Sequence, residues 1–230
     1  MLFLSWFLFL GCSVKDNNAL ELESEVMSSE NLNHINSPYY TMNDFYNMKS
    51  TWSLRILSNY HVIQQTEDYS CWCASLLWAL NYYWIEGYDE IGLCDLIWAS
   101  ELTWTSIEWI NSFLDSIWLN HFYHGAKDLF FFSPEHFEEY LLVKLDSWYV
   151  TLVNWLDYWW HRQAIIWLDT MGTEDVYDDV LIMADSLDET DHHQDGYFIV
   201  PFARFFYMWE EASFTEWKYK QTFVTIFPKW

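Results

Sequence analysis

Two kinds of hydrophobic spacing divide the chain. From about residue 70 to residue 145, apolar positions recur every three or four residues, which predicts helices. Ala74, Leu77, Trp78, Leu80 and Tyr83 place one over Cys71–Trp84, with Gly87 beyond its end as a C-terminal cap. Similar spacing predicts helices over Asp89–Ser100 and Thr105–Leu119. Ser133 followed by Pro134 predicts an N-cap and helix start, with the helix over Glu135–Leu145. The pattern then shortens into β-prone runs at Tyr149–Trp155, Ala164–Leu168, Val180–Ala184, Tyr197–Val200 and Phe223–Phe227. Leu54–Ile63 reads as an extended lead-in. Helices first and strands second predict an α+β fold, a helical half packed on a mostly antiparallel sheet.

The N-terminus departs from this pattern. Met1–Gly11 is an apolar run too short to span a bilayer, and it reads as the core of a secretory signal. Phe9-Leu-Gly-Cys12 resembles a bacterial lipobox, although no Lys or Arg precedes the run. That resemblance implies that Cys12 becomes a lipidated N-terminus. Residues 12–37 are rich in Asn, Ser and Glu and read as a flexible tether, and 38–230 as the folded domain. The expected location is extracytoplasmic, as a membrane-anchored lipoprotein or a secreted protein. Charged residues interrupt every later apolar run, so no further span is expected.

Composition narrows the partners. Apolar residues make up 52% of the chain, which excludes general disorder. A net charge of -24, from 34 acidic and 10 basic residues, argues against nucleic acid and against adsorption to an anionic membrane. Any membrane contact would run through the lipid on Cys12. The 17 Trp, 16 Tyr and 17 Phe supply a large core, a groove for an extended peptide, or simple compositional drift.

The chemistry centres on Cys71. A cysteine opening a helix meets free N–H groups and partial positive charge, which favour the thiolate. Gln65, six residues earlier, could donate its amide to an oxyanion beside the Cys71 N–H. Gln65 followed by Cys71-Trp72-Cys73-Ala74-Ser75 resembles the active-site block of papain-like cysteine peptidases. His61 through Gln65 and Leu80 through Tyr83 are similar to the double-glycine leader peptidases of bacteriocin exporters. Asp68-Tyr-Ser-Cys71 resembles the streptococcal IgG-cleaving enzymes. The resemblance runs in order over residues 60–206 and implies a papain-like fold, with the cysteine on a central helix packed on the sheet. It implies an exported cysteine endopeptidase acting on a peptide or protein substrate, with no cofactor. His161 would be the base. Asp185 would orient it through Nδ1–H, with Asp188 a weaker substitute and Ser186 standing where the family has Pro.

One position departs from the family pattern. Aligned without a gap, the place of the base holds Gln163, and His161 lies two residues upstream. Residues two apart share a strand face, about 6–7 Å apart along it. Two readings follow. His161 is the base in an altered local register, or Gln163 has replaced the base and the domain is an inactive surface-binding lipoprotein. Glutamine cannot relay a proton near neutral pH. A third possibility is acyl transfer to an amine by the same parts.

The remaining candidates are weaker. Cys73 and Cys94 are a disulfide or two buried thiols. His192 and His193, flanked by Asp191 and Asp195, have no standard zinc spacing and read as an acidic loop. His121 and His124 read as part of an aromatic turn. Glu67 and Asp68 flank the nucleophile and shape access to it or are simply solvated.

Overall fold

A computed structural model describes residues 43–103, 105–124, 131–156, 160–188, 195–211 and 220–228. The signal, Cys12, the tether, Trp104, Trp159, His192 and His193 lie outside the described residues. Residues Asp44–Trp230 form one compact unit.

The architecture is α+β, as the order of patterns predicts. Five helices are described: α1 Cys71–Tyr82, α2 Glu90–Leu96, α3 Ile107–Ser116, α4 Pro134–Asp146 and α5 Phe202–Glu211. Seven strands form one antiparallel sheet: β1 Leu54–Ile56, β2 Asn120–His124, β3 Val150–Leu156, β4 Trp160–Asp169, β5 Val180–Ala184, β6 Tyr197–Pro201 and β7 Thr222–Phe227. The path runs β2-β7-β3-β4-β5-β6, with β1 paired to the far end of β4. β4 is thus the central strand. It begins opposite β3 with His161 facing Trp155 and ends opposite β1 with Asp169 facing Leu54.

Helix α1 is buried along its whole course from Cys71 to Leu80. Such a helix belongs at the centre of a core rather than on its surface. Each large apolar side chain it buries, Trp78 and Leu76 among them, contributes roughly 1.5–3 kcal/mol. Tyr83 ties the helix end to the sheet. Its hydroxyl donates to Ile226 O at 2.7 Å and accepts from Val150 N at 2.9 Å. A disulfide joins Cys73 of α1 to Cys94 of α2, resolving the two alternatives for that pair.

The helix ends differ from expectation. α1 stops at Tyr82, and the cap is Trp84 rather than Gly87. Trp84 sits at φ 60° and its N–H reaches Asn81 O, while Ile85 N reaches Leu80 O. This pair of hydrogen bonds is the Schellman motif, whose left-handed position normally takes glycine. The same motif closes α2, α3 and α4 with Trp98, Trp118 and Trp148 at φ 55°, 61° and 63°. All four indoles are exposed. A bulky residue in this region is strained by about 1 kcal/mol.

Two elements lie where the sequence patterns predict none. Asn120–His124, expected as a turn, is the edge strand β2, paired with β7. Phe202–Glu211 is α5, which buries Phe202, Phe205, Phe206 and Trp209 against the sheet. That spacing is helical, but the run is so rich in aromatics that β propensity masks it.

Candidate active site

The start of β4, the start of α1 and the end of β5 meet at one point. Cys71 is 2% exposed, His161 7% and Asp185 2%. His161 donates from Nε2 to Asp185 Oδ1. The imidazole also acts on the Cys71 thiol, each favouring the charged form of the other, and with Nε2 taken by Asp185 the nitrogen left for sulfur is Nδ1. The expected use of the two nitrogens is therefore reversed: Asp185 takes Nε2, not Nδ1.

His161, and not Gln163, bonds Asp185 and acts on Cys71. β4 and β5 pair Ala164 with Ala184. One step further, Gln163 stands opposite Asp185, and His161 is its diagonal neighbour on the same face. Leu187 N donates back to Asp185 Oδ1 at 2.9 Å, and Asp185 N donates to Gly196 O at 2.9 Å. Gln163 is fully buried behind the pair, and its Oε1 accepts from Trp155 Nε1. Its Nε2 lacks full hydrogen-bond geometry, yet the amide still favours the Asp185 carboxylate. Gln163 thus occupies a supporting position, and the arrangement with Gln163 against Cys71 and His161 turned away is not the one present.

The loop before α1 is stitched to the turn carrying Asp185. Gln65 N donates to Ser186 O at 3.0 Å, and Ser186 Oγ donates to Gln65 Oε1 at 2.5 Å. Gln65 Nε2 donates to Glu67 O at 2.8 Å. One of the two hydrogens on that amide nitrogen is therefore used locally. Asp188 Oδ2 accepts from Gly196 N at 2.6 Å, so its carboxylate closes the turn. Gly196 adopts φ +87°, and a Cβ there would lie 2.6 Å from Val62, so the turn needs glycine.

Electrostatics favour a charged pair. Burial pushes the Cys71 thiol up, but the His161 hydrogen bond and the charges of Arg162 and His161 outweigh it and hold the thiol below its ordinary value. Burial pulls His161 down, while hydrogen bonds to Asp185 and then Cys71 lift it to about 9. Burial pushes Asp185 up, and the His161 hydrogen bond and charge hold it below the usual carboxylate range. Each direction favours the charged form, thiolate, imidazolium and carboxylate in a row, which is the state a cysteine nucleophile needs.

The sequence patterns gave no reason to single out Arg162, one of 10 basic residues in the chain. Its Nη1 lies 3.9 Å from Cys71 Sγ. The other candidates lie apart from this cluster. Glu67 and Asp68 are exposed, and His121 Nδ1 bonds to Leu119 O at 3.0 Å within its own segment. Among the described residues, no group of His, Cys, Asp and Glu is arranged to hold a metal ion, and no helix is long and apolar enough to cross a membrane.

No protein-family model matches the chain, and no curated protein matches it. Several solved chains are similar, two of them as follows. One is the peptidase domain of Streptococcus ComA, a bifunctional ABC transporter involved in a quorum sensing pathway. It is 16% identical over 74% of this chain and 99% of that one, with a TM-score of 0.47. The other is UfSP from C. elegans, 13% identical over 81% of this chain and 36% of that one, also with a TM-score of 0.47. Neither likeness assigns a role to a residue of this chain.

Proposed function

We propose that the protein is a papain-like cysteine peptidase that cleaves peptide bonds through Cys71, His161 and Asp185. The observation that carries the reading is the buried series Cys71–His161–Asp185, in which the imidazole bonds the Asp185 carboxylate and is raised further by the Cys71 thiol.

The chemistry follows from that series. The Cys71 thiolate attacks the carbonyl carbon, forming the S–C bond and moving the C=O pair onto oxygen. The oxyanion meets the Cys71 N–H at the helix start and the second hydrogen of Gln65 Nε2. Collapse breaks the C–N bond, and His161 Nδ1–H protonates the departing amine. Neutral His161 then takes a proton from water, whose oxygen attacks the thioester. The acid leaves, and thiolate and imidazolium are restored. Asp185 keeps the ring oriented and stabilises its charge throughout.

We also propose that the enzyme is exported and anchored through lipid on Cys12. The Cys73–Cys94 disulfide supports export, because such bonds persist mainly in oxidising compartments. The test is covalent labelling of the full chain by an epoxide probe for cysteine peptidases. Labelling of the wild type that is lost in Cys71→Ala supports the reading, whereas equal labelling of both refutes it.

A further inference from the structure

Arg162 is buried beside the nucleophile and fixed on several sides. Its Nη1 faces Cys71 Sγ at 3.9 Å and also donates to Trp160 O at 3.1 Å. The guanidinium carbon lies 5.9 Å from the Trp72 ring centroid. Ser75 Oγ, one turn along α1, donates to Arg162 O at 3.1 Å, which ties the strand to the nucleophile's helix. A guanidinium stays charged throughout the working pH range, unlike an imidazole.

The other charges around Cys71 make this cation important. His161 is the second cation, and Asp185 behind it is engaged by the imidazole. On the loop before α1, Glu67 and Asp68 are exposed. From α2, Glu90 accepts from Ser70 Oγ at 2.5 Å and from Thr66 N at 2.9 Å, putting an acid next to the residue that precedes the nucleophile. Burial opposes a thiolate, and an adjacent fixed cation helps to offset it.

We propose that Arg162 is a catalytic residue that holds the Cys71 thiolate jointly with His161 and then stabilises the oxyanion. The inference rests on the peptidase reading above. When sulfur attacks a carbonyl, negative charge moves from sulfur to an oxygen about 3 Å away, within range of a donor already facing the sulfur. The same guanidinium therefore follows the charge without reorganising. It is a stronger electrophile than the Gln65 amide, which is neutral and shares its nitrogen with Glu67 O.

The experiment follows alkylation of Cys71 by iodoacetamide in the full-length chain as a function of pH, read by mass spectrometry of the Cys71 peptide. It is paired with peptide-cleavage kinetics. In Arg162→Gln the alkylation midpoint rises by about 1–2 pH units. In the same variant kcat falls about 100-fold with KM little changed, a larger loss than Gln65→Ala causes. Arg162→Lys restores most of the midpoint. An unchanged midpoint in folded Arg162→Gln overturns the proposal, as does a greater kcat loss in Gln65→Ala. If Arg162→Gln does not fold, His161→Gln decides. Arg162 alone should then keep the midpoint below the ordinary thiol value of about 8.5, and a midpoint above that value overturns the proposal. Failure of the peptidase reading looks different: a low wild-type midpoint that rises in Arg162→Gln, without Cys71-dependent cleavage.

Discussion

Replacing Asp185 with Asn removes a charge from the site and leaves its shape. His161 is held at about 9 against an ordinary 6.5, a net lift of about 2.5 units. That lift favours the imidazolium by about 3 kcal/mol. Burial opposes that lift, and Asp185 supplies the larger share of it, ahead of Cys71. The amide oxygen of the substituted side chain can still accept from Nε2–H but carries no charge. Deprotonation of His161 abolishes the acid that protonates the leaving amine, so it sets the alkaline limb of kcat/KM. In the wild type this limb should lie near pH 9, where the imidazolium loses its proton. In Asp185→Asn it should move down by at least about one unit, with a loss of about 10-fold or more at pH values between the two limbs. Stability changes with the same sign. A raised imidazole contributes fully below pH 6.5 and loses that contribution as pH rises through about 9. The wild-type Tm should therefore decline over this window, and the decline should flatten in the variant. A pH series of kcat/KM and of thermal melts measures both effects. An alkaline limb that stays near pH 9 in Asp185→Asn would refute the assignment of the lift to Asp185.

Four further outcomes follow from the fold. Reducing the Cys73–Cys94 disulfide opens a loop spanning 21 positions of sequence separation and should cost about 3 kcal/mol in denaturant titrations. Tyr83→Phe strands the buried partners Val150 N and Ile226 O, with an expected cost of about 2 kcal/mol by the same measurement. Trp→Gly at 84, 98, 118 and 148 relieves left-handed strain at four separate helix ends. Each should stabilise by about 1 kcal/mol and the four should nearly add. Asp179 is pushed up to about 7 by burial and by Glu138, Asp169, Asp175 and Asp178. Because a raised carboxyl loses its contribution to stability as pH rises through that value, Asp179→Asn should raise Tm above pH 7 and change it little in acid.

Much of the architecture was legible because it depends on local periodicity. The helix starting at Cys71, the Ser133 cap and the run Val180–Ala184 are set by spacing and capping within a few residues. Helix ends were less legible, because tryptophan occupies positions where the physical rules expect glycine. β2 was hidden because edge pairing with β7 is a long-range event with no local signature. At the site, the nearness of Cys71, His161 and Asp185 could be proposed from order along the chain. The choice between His161 and Gln163 could not, since both lie on one face of β4. It depends on the Ala164–Ala184 pairing and on a side chain reaching diagonally across strands. Arg162 was invisible for a related reason. Only the packing of α1 on β4 brings its guanidinium to the sulfur.

The most direct test of the account is proteolysis itself. Full-length protein and its Cys71→Ala variant are each incubated with an unstructured protein substrate at neutral pH under conditions that keep the Cys73–Cys94 disulfide, and new N-termini are mapped by mass spectrometry. The account predicts new N-termini with the wild type and none with Cys71→Ala. The same termini from both proteins, or none from a wild type whose Cys71 is shown to be free and unmodified, would contradict it.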